Sequence, residues 1–590
     1  MVKAPAIFIL GSSALPLARQ LKEALQAEIH GPHGAKGHDQ AYEKATAALQ
    51  DLFRERRPVV ALCAAGIVIR ALAPVLDDKR GEPPVLALAE DGSSVIPLLG
   101  GHHGANMLAR DVARITGGHA AITTASDLRF GAALDDPPPG WVLANPDDMK
   151  AFAARLLEGE GVRIEGDIPW LNLPAEPAAG LKITASHEET AGSPPHLVYH
   201  PTVLALGVGG ERGVAAEELL ALVDETLSRH RLSRKALAVV ASLDLKEDET
   251  AIHMLAEHLG LPLRLFTAAE LDAETPRLET PSAVVKSEVG CPGVAEGAAL
   301  AAAGPDARLL VAKTKSRRAT CAVALAPAPI VELRGRARGR ISVVGLGPGD
   351  PASRSPAASA ALRQATDWVG YDLYLDLARD LKSGQHEHRF PLGAEESRVR
   401  HAIALAKEGR RVALVCSGDP GIYAMAALVF ELLDLAPERV AVDVLPGISA
   451  FQAAAAHAGA MIGHDFCCIS LSDLLTPWEV IERRLRAAAE GDFVTAYYNP
   501  RSLRRRDQLE RAIAILRPHR TDETPVVIAS NLGRAEENVR IVRLADFEAD
   551  TVDMLTLVMV GSSQSRSFAR GDGRIHAYTP RGYAGKRTAS

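Results

Sequence analysis

Residues 341–350 have the sequence ISVVGLGPGD. A short β-branched run leads into a turn that contains Gly345, Gly347 and Gly349. Such a run is typical of a buried strand, and glycines let the backbone turn sharply and approach a ligand closely. Ligands of α/β proteins bind where a strand ends in such a turn. The stretch therefore indicates an α/β fold; taken alone, a structural strand–turn explains it as well as a ligand site does.

The spacing of these glycines argues against the two common nucleotide-binding motifs. A dinucleotide fingerprint has the pattern G-x-G-x-x-G, whereas this turn has G-x-G-x-G, and Pro348 lacks the N–H that a phosphate would use. No Gly-Lys-Ser/Thr follows, so the turn is not a P-loop. An NAD-dependent oxidoreductase is therefore disfavoured.

The composition is that of a globular protein with several domains. The chain has 590 residues, and a single core stops growing at about 250–300 residues. Its net charge of −7 gives no reason to expect nucleic acid or an anionic membrane as a partner. No apolar run reaches the ~18 residues of a membrane span. The six cysteines lack C-x-x-C spacing and disulfide-scaffold density, which fits a cytoplasmic protein.

Strands alternate with helices along the chain, which predicts parallel α/β sheets. Shifts in composition suggest where the domains begin and end. We expect an N-terminal α/β domain at 1–130, a small mixed domain at 131–200, a second α/β domain at 201–330, an exposed Arg/Gly linker at 331–340 and a further α/β unit at 341–590.

Three strands of the last unit each end in a Gly/Pro loop that carries a hydroxyl or an acid. After the opening stretch, these loops are 416–423, CSGDPGIY, and 445–450, LPGISA. Because parallel strands end at one edge of a sheet, the loops predict a shared cleft. Taken alone, Asp350 and Asp419 are equally well explained as Asx-turn or helix-cap residues.

Two loops of the first domain also follow predicted strands. They are 63–70, CAAGIVIR, and 100–106, GGHHGAN, and we expect both at the carboxyl edge of the sheet. His102 and His103 could supply acid/base chemistry near neutral pH, although a glycine-rich turn whose histidines cap the next helix explains the same residues. His30, in a Gly/Pro-rich stretch, is expected in a solvated loop, and no metal site is predicted.

Six motifs occur in the order GLGPGD, YDLY, SGDPGIY, LPGISA, YYNPRS and ASNLGR. Together they resemble the precorrin methyltransferase family of cobalamin biosynthesis. The stretches YDLYLDL, SDLLTPW and YYNPRS are most similar to its precorrin-3B C-17-methyltransferase branch. In residues 1–330, CAAGIVIRALAP, LLGGHHGAN, ALGVGGERG and KSEVGCPGVAEGAALAA resemble the CbiG, or cobalt-precorrin-5A hydrolase, family, and the last two also resemble CobE. The chain thus looks like a fusion of two enzymes of one pathway.

The methyltransferase resemblance implies a two-domain α/β unit that binds S-adenosylmethionine and a tetrapyrrole in the cleft between its domains, and that forms a homodimer. It implies methylation of precorrin-3B, or its cobalt form, at C-17 with ring contraction to precorrin-4. Asp350 would act on or orient the substrate, and Arg501 and Arg504 would bind its carboxylates, with a solvated helix face as the alternative for Arg504. The implied cofactor-binding residues are Gly345, Gly347, Pro348, Gly349, Gly418, Asp419, Ile422, Tyr423, Pro446, Gly447, Ser449, Tyr498 and Asn499.

The CbiG resemblance implies that the N-terminal half opens a ring-A lactone. Attack of water on a lactone needs a base and donors for the oxyanion. His102 or His103 would supply the base beside the amides of Gly100 and Gly101, and Glu288 is a second candidate. Two alternatives stay open: an N-terminal half that only binds labile intermediates, and a family member that acts on uroporphyrinogen or on the diphthamide precursor.

Overall fold

The computed structural model describes residues 4–76, 81–124, 134–382, 384–502 and 506–583. The chain divides into two compact units, residues 1–338 and 339–590. Both combine sheets with packed helices, so the predicted multidomain α/β fold is confirmed. Within the described ranges, every helix is too short or too polar to cross a bilayer.

The first unit opens with a sheet in the order β3-β2-β1-β4-β5-β6-β7. Strands β1, β4 and β5 are buried along their whole length, because helices pack on both faces of the sheet. The strands and helices are β1 (Ala6–Ile9), α1 (Leu15–Leu25), β2 (Glu28–Pro32), β3 (Gln40–Tyr42), α2 (Ala45–Arg54), β4 (Val59–Leu62), α3 (Ala65–Leu72), β5 (Val85–Leu88), β6 (Ser94–Leu99), α4 (Ala105–Thr116) and β7 (His119–Ala120).

Strand β6 runs antiparallel to β5, with Leu99 opposite Val85. The residues after β6 therefore lie at the amino edge of the parallel strands, whereas residues 63–70 follow β4 at the carboxyl edge. The expectation that both loops share the carboxyl edge is wrong. The packing agrees: a Cβ added to Gly100 would lie 2.4 Å from the carbonyl oxygen of Pro83, just before β5.

Two further sheets complete the first unit, in the orders β8-β11-β10-β9 and β14-β13-β12-β16-β15. Their elements are β8 (Trp141–Leu143), α5 (Met149–Leu157), β9 (Val162–Glu165), β10 (Leu181–Ala185), β11 (His196–Pro201), β12 (Leu204–Gly210), α6 (Ala216–Arg229), β13 (Leu237–Leu243), α7 (Thr250–Leu259), β14 (Leu263–Phe266), α8 (Ala268–Ala273), α9 (Ala283–Val289), α10 (Val294–Ala303), β15 (Arg308–Lys315) and β16 (Ala319–Leu325).

The glycines of the ALGVGGERG stretch lie partly within a strand. Strand β12 continues to Gly210, and a Cβ on Gly207 would lie 1.9 Å from the carbonyl oxygen of Ala295 on α10. The missing side chain at Gly207 thus lets an alanine-rich helix pack directly on the middle of the sheet.

The segment 331–338 contacts the first unit, whereas its composition suggests an exposed, flexible linker. The two terminal nitrogens of Arg336 donate to the carboxylate of buried Glu247 at 2.8 and 2.7 Å. The backbone of Arg336 pairs with Leu265 through N–H···O contacts of 3.0 and 2.8 Å. The expectation of a free linker is therefore wrong for Arg336.

The second unit begins with a parallel sheet in the order β19-β18-β20-β17-β21. The opening stretch forms β17, which lies between β20 and β21. Its elements are β17 (Arg340–Gly345), α11 (Pro356–Gln364), β18 (Asp367–Tyr371), α12 (Asp372–Leu377), β19 (His386–Phe390), α13 (Glu395–Lys407), β20 (Arg411–Cys416), α14 (Met425–Leu435), β21 (Ala441–Leu445) and α15 (Ala450–Ala458).

A mixed sheet in the order β23-β24-β27-β25-β26 and a small sheet in the order β22-β29-β28 follow. Helix α15 packs against the mixed sheet and so lies next to both halves of this unit. The elements are β22 (Gly459–Ala460), β23 (Phe466–Ser470), α16 (Trp478–Glu490), β24 (Val494–Tyr498), α17 (Gln508–Leu516), β25 (Pro525–Ser530), β26 (Asn538–Arg543), β27 (Thr556–Val560), β28 (Arg566–Ala569) and β29 (Ile575–Tyr578).

Candidate functional site

The loops after β17, β20 and β21 meet at the carboxyl edge of the parallel sheet. Gly345 pairs with Cys416, and Val344 pairs with Leu445, so the three strands end side by side. The Gly347 N–H donates to the Gly418 oxygen at 3.2 Å, and the Gly418 N–H donates back at 2.8 Å. The three loops therefore converge, as expected for loops that follow parallel strands.

Several of the loop glycines pack against one another. A Cβ on Gly447 would lie 2.2 Å from the Gly418 oxygen, and one on Gly345 would lie 2.6 Å from the same atom. Atoms at these distances overlap, so only glycine fits at either position. These residues support the loops from behind the cleft.

Asp419 joins two of the loops through its carboxylate. One oxygen accepts the Gly421 N–H at 2.8 Å, and the other accepts the Gly447 N–H at 3.2 Å. The first contact is the Asx-turn that the sequence allows, and the second connects the loop after β20 to the loop after β21.

A cleft of about 370 Å³ opens above these loops, lined by residues of the parallel and the mixed sheets. Of the residues predicted to bind a cofactor, the ones that line it are Pro348, Gly418, Asp419, Ile422, Tyr423, Ser449, Tyr498 and Asn499. The other predicted residues, which lie outside the lining, are Gly345, Gly347, Gly349, Pro446 and Gly447.

Hydroxyl groups connect the two sides of the cleft. The Ser449 and Tyr498 oxygens are 2.5 Å apart, and the Phe451 N–H donates to the Tyr498 oxygen at 3.2 Å. The Tyr423 hydroxyl donates to the carbonyl oxygen of Cys468 at 2.8 Å, and its ring centroid is 5.1 Å from that of Tyr498. Burial raises the pKa of both tyrosines, so both remain neutral near pH 7.

Three non-glycine residues of the cleft have left-handed backbone. The φ angles are 53° at Tyr423, 49° at Asn499 and 52° at Asn531. Asparagine adopts this region with modest cost, but a tyrosine there is uncommon. The surrounding contacts, including the Asn499 side-chain N–H to the Ser470 hydroxyl at 3.1 Å, hold this conformation. Such strain concentrates at functional sites.

Asp350 lies beside the cleft, outside its lining. Its carboxylate accepts the Ala352 N–H at 3.1 Å and so caps a short 3-10 turn. A Cβ on Gly533 would lie 2.9 Å from the Asp350 nitrogen, so the first loop packs against the loop after β25. The capping role allowed by the sequence is observed, and a role toward substrate stays a prediction.

The arginines at the cleft differ from those predicted. Arg501 forms an ion pair with Asp550 at 2.6 Å and lies outside the lining, and Arg504 lies outside the described residues. Arg398 and Arg534 line the cleft instead. Arg534 belongs to the ASNLGR motif, so the sequence carried a signal for it, whereas Arg398 is one of many charges on a helix.

The predicted hydrolase residues of the first unit lie on different sheets. His103 is exposed on a turn after β6, and the side chain of His102 is outside the description. The amide of Gly104, at the start of α4, donates to the Asp136 carboxylate at 2.6 Å. Glu288 is exposed on α9, which adjoins the sheet containing β13. The turn that carries His103 and the helix that carries Glu288 are thus associated with different sheets.

Three sequence-family models match the chain. Residues 340–548 match the tetrapyrrole (corrin/porphyrin) methylases. Residues 47–127 match the model described as cobalamin synthesis G N-terminal, and residues 204–324 match cobalamin synthesis G C-terminus. The three matches follow one another in the order expected of a fusion.

Several curated relatives align with the second unit. The probable cobalt-factor III C(17)-methyltransferase of Salmonella typhimurium is 43% identical over 243 residues, which are 41% of this chain and 99% of the relative. The precorrin-3B C(17)-methyltransferase of Sinorhizobium sp is 41% identical over 250 residues, 42% of this chain and 98% of the relative.

A longer relative aligns over about half of its own length. The cobalamin biosynthesis protein CobIJ of Mycobacterium bovis is 44% identical over 258 residues, 43% of this chain and 50% of the relative. The chain therefore spans about half the length of CobIJ. The chain covers nearly all of two relatives at more than 40% identity. It therefore belongs to the tetrapyrrole methylase family, and two regions that match the cobalamin synthesis G models precede its methylase region.

Proposed function

We propose that the second unit transfers a methyl group from S-adenosylmethionine to C-17 of precorrin-3B or its cobalt form, with ring contraction, in cobalamin biosynthesis. The observation that carries this proposal is the meeting of three strand-end loops at one cleft of about 370 Å³. Its volume falls in the range of ~300–1,000 Å³ typical of small-molecule sites. The names of the Salmonella typhimurium and Sinorhizobium relatives support methylation at C-17.

The residues of the cleft fit the proposed cofactor. Gly418, Ile422 and Tyr423 would border its amino-acid end, and Ser449 and Tyr498 its opposite side. S-adenosylmethionine supplies a methyl group on a sulfonium, which is a good leaving group. The residues of this chain then have to align the substrate carbon with that methyl group and exclude water, a task of positioning. In this proposal Asp350 orients the substrate or exchanges a proton with it.

Mass spectrometry of products tests the reaction. The full chain is incubated with S-adenosylmethionine and precorrin-3B, and in parallel with the cobalt-containing form. We expect a product one methyl group heavier in the arm that holds the true substrate, with S-adenosylhomocysteine formed in equal amount. Uroporphyrinogen serves as the competing substrate, and methylation of uroporphyrinogen alone would overturn the assignment.

We further propose that the first unit opens the ring-A lactone of a cobalt-precorrin. The matches to both cobalamin synthesis G models support this second activity. His102 or His103 is the proposed base, with Glu288 as the next candidate. Residues 1–338 are compact by themselves, so the first unit is assayed alone on the lactone. A first unit that binds the tetrapyrrole without opening the lactone would favour the scaffold alternative.

The methylase unit is also proposed to form a homodimer, as its family resemblance implies. Light scattering of the full chain during size-exclusion chromatography gives the mass directly. A measured mass equal to that of a single chain at micromolar concentration would contradict the homodimer.

A further inference from the structure

Two arginines face the cleft of the second unit without a carboxylate partner. Arg398 lies on α13, and Arg534 lies in the loop after β25; both line the cleft. Arg398 is 2% exposed. In the described part of the chain, no carboxylate lies within 4.0 Å of either guanidinium. Since a guanidinium stays protonated in proteins, two positive charges border the cleft with no adjacent counter-charge from the protein.

The hydrogen bonds of these side chains are incomplete. One terminal nitrogen of Arg398 donates to the carbonyl oxygen of Pro391 at 3.2 Å, and the other lies 3.9 Å from the Met425 sulfur, a weak acceptor. The Nε atoms of both Arg398 and Arg534 are buried and lack a hydrogen-bond partner among the described residues. A buried charge is costly unless it is paired. The unpaired donors therefore point to an anion that comes from a bound molecule.

The loop that carries Arg534 is held in place by the glycine-rich stretch. A Cβ on Gly349 would lie 3.1 Å from the Gly533 oxygen and 3.3 Å from the Arg534 Cγ. Tyr374 also lines the cleft. Burial raises its pKa, and Cys416 raises it further, whereas the charges of Arg534 and Arg398 lower it. One side chain thus lies within electrostatic range of both arginines.

The acidic residues of the cleft are engaged elsewhere. Glu395 accepts the Gly393 N–H at 3.2 Å, and Asp419 accepts the N–H groups of Gly421 and Gly447. Neither carboxylate forms an ion pair with Arg398 or Arg534. The lining thus carries two negative and two positive side chains that do not pair with one another.

We propose that Arg398 and Arg534 form a subsite that binds a carboxylate of the ligand. The inference rests on the proposed function for its ligands, because both a precorrin and the amino-acid end of S-adenosylmethionine carry carboxylates. The planar guanidinium matches a carboxylate through two parallel N–H···O bonds. Arg501, already paired with Asp550, lies outside this subsite.

The test uses the full chain and the variants Arg398→Met and Arg534→Met. Each substitution replaces the charged arginine side chain by an unbranched apolar one. Arg400→Met is the matched control, because Arg400 lies on the same helix, is exposed and pairs with Glu396 at 2.8 Å. Calorimetry measures three probes: S-adenosylhomocysteine, 5′-methylthioadenosine, which lacks the carboxylate, and uroporphyrin III, a stable tetrapyrrole with carboxylate side chains.

The two sources of the carboxylate give different results. If the cofactor occupies the subsite, the variants lose roughly 30-fold or more in affinity for S-adenosylhomocysteine and keep their affinity for methylthioadenosine. If the tetrapyrrole occupies the subsite, the variants bind both nucleosides with unchanged affinity, and their affinity for uroporphyrin III falls by a similar factor. Arg400→Met should change neither affinity.

Thermal unfolding separates this role from a structural one. Replacing a buried, unpaired charge by an apolar side chain should leave the ligand-free melting temperature of Arg398→Met unchanged or higher. If that variant nevertheless fails to fold, Arg398→Lys and Arg534→Met carry the test. Binding of all probes within about twofold of the unaltered chain would overturn the subsite. If the unaltered chain binds none of the probes, the proposed function fails first, and the subsite fails with it.

Discussion

A Cβ atom on Gly447 would lie 2.2 Å from the carbonyl oxygen of Gly418. The two residues belong to loops that follow different strands, and the same oxygen would lie 2.6 Å from a Cβ on Gly345. The floor of the cleft is therefore built by backbone atoms of three loops in direct contact. We infer that this floor is formed before any ligand binds, because its contacts are within the protein.

Replacing Gly447 by Ala should destabilise the second unit. The new methyl group overlaps a backbone oxygen, so we expect a loss of about 3 kcal/mol in the free energy of unfolding, measured by urea titration. Gly418→Ala is the comparison. At φ +67°, its Cβ would meet the nearest atom at 3.8 Å, so it should cost only ~1–2 kcal/mol through backbone strain while it weakens S-adenosylhomocysteine binding. Equal stability of Gly447→Ala and the unaltered chain would contradict the overlap.

Removing the Tyr498 hydroxyl should weaken the contact between strand β24 and the loop after β21. In Tyr498→Phe, the Phe451 N–H loses its side-chain acceptor and the Ser449 hydroxyl loses one of its contacts, and leaving a buried donor unpaired costs about 1–3 kcal/mol. We expect a lower urea midpoint together with weaker S-adenosylhomocysteine binding by calorimetry. Tyr583→Phe, at an exposed tyrosine, is the matched control. Unchanged affinity in Tyr498→Phe would show that this side of the cleft does not contact the cofactor.

The position of the cleft could be predicted from the sequence, but its charges could not. Parallel strands end at one edge, so glycine-rich loops after β17, β20 and β21 had to meet. By contrast, the sequence does not show which arginines lack a partner. Arg501 was predicted to bind substrate carboxylates and pairs with Asp550, whereas nothing in the local sequence of Arg398 indicates that it is buried. Ion pairing depends on tertiary contacts that local patterns do not encode.

The antiparallel direction of β6 relative to β5 could have been predicted from the sequence. Strands β5 and β6 are joined only by residues 89–93, and a parallel crossover needs a dozen or more residues. The short connection therefore required an antiparallel pair, which places the His103 turn at the amino edge. The continuation of β12 through Gly207 was harder to predict, because it depends on α10 packing against that glycine.

Cleavage at the boundary between the units should depend on Glu247. Its carboxylate holds Arg336 through two hydrogen bonds, so Glu247→Gln should release the segment and speed tryptic cleavage after Arg336. Gel electrophoresis follows the rate, and circular dichroism of the separated fragments tests whether both stay folded, as expected for two compact units. Glu225→Gln changes an exposed ion pair with Arg229 and should not alter the rate. Identical rates in both variants would mean that Arg336 is already accessible.

His30 should make the first unit less stable in mild acid. It lies in strand β2, where its side chain is 14% exposed, so the expectation of a solvated loop is wrong for this residue. Its pKa is lowered from 6.5 to about 3, mainly by burial and then by the charges of Arg57 and His38, while Asp39 acts in the opposite direction. At pH values between about 3 and 6.5, the imidazole of His30 is protonated in the unfolded chain and neutral in the folded chain. Stability is therefore complete above about pH 6.5 and falls as the pH decreases below it.

The variant His30→Gln removes this titration. At pH 5, the unaltered chain should lose about 2 kcal/mol relative to pH 7.5 through His30 alone, since each unit of pKa difference corresponds to about 1.4 kcal/mol. We expect the difference in unfolding free energy between the unaltered chain and His30→Gln to change by that amount between the two pH values, measured by urea titration. Other groups titrate equally in both proteins and cancel. His258→Gln makes the same replacement at an exposed position and serves as the matched control. A pH-independent difference for His30→Gln would mean that the folded protein admits a protonated imidazole at this position.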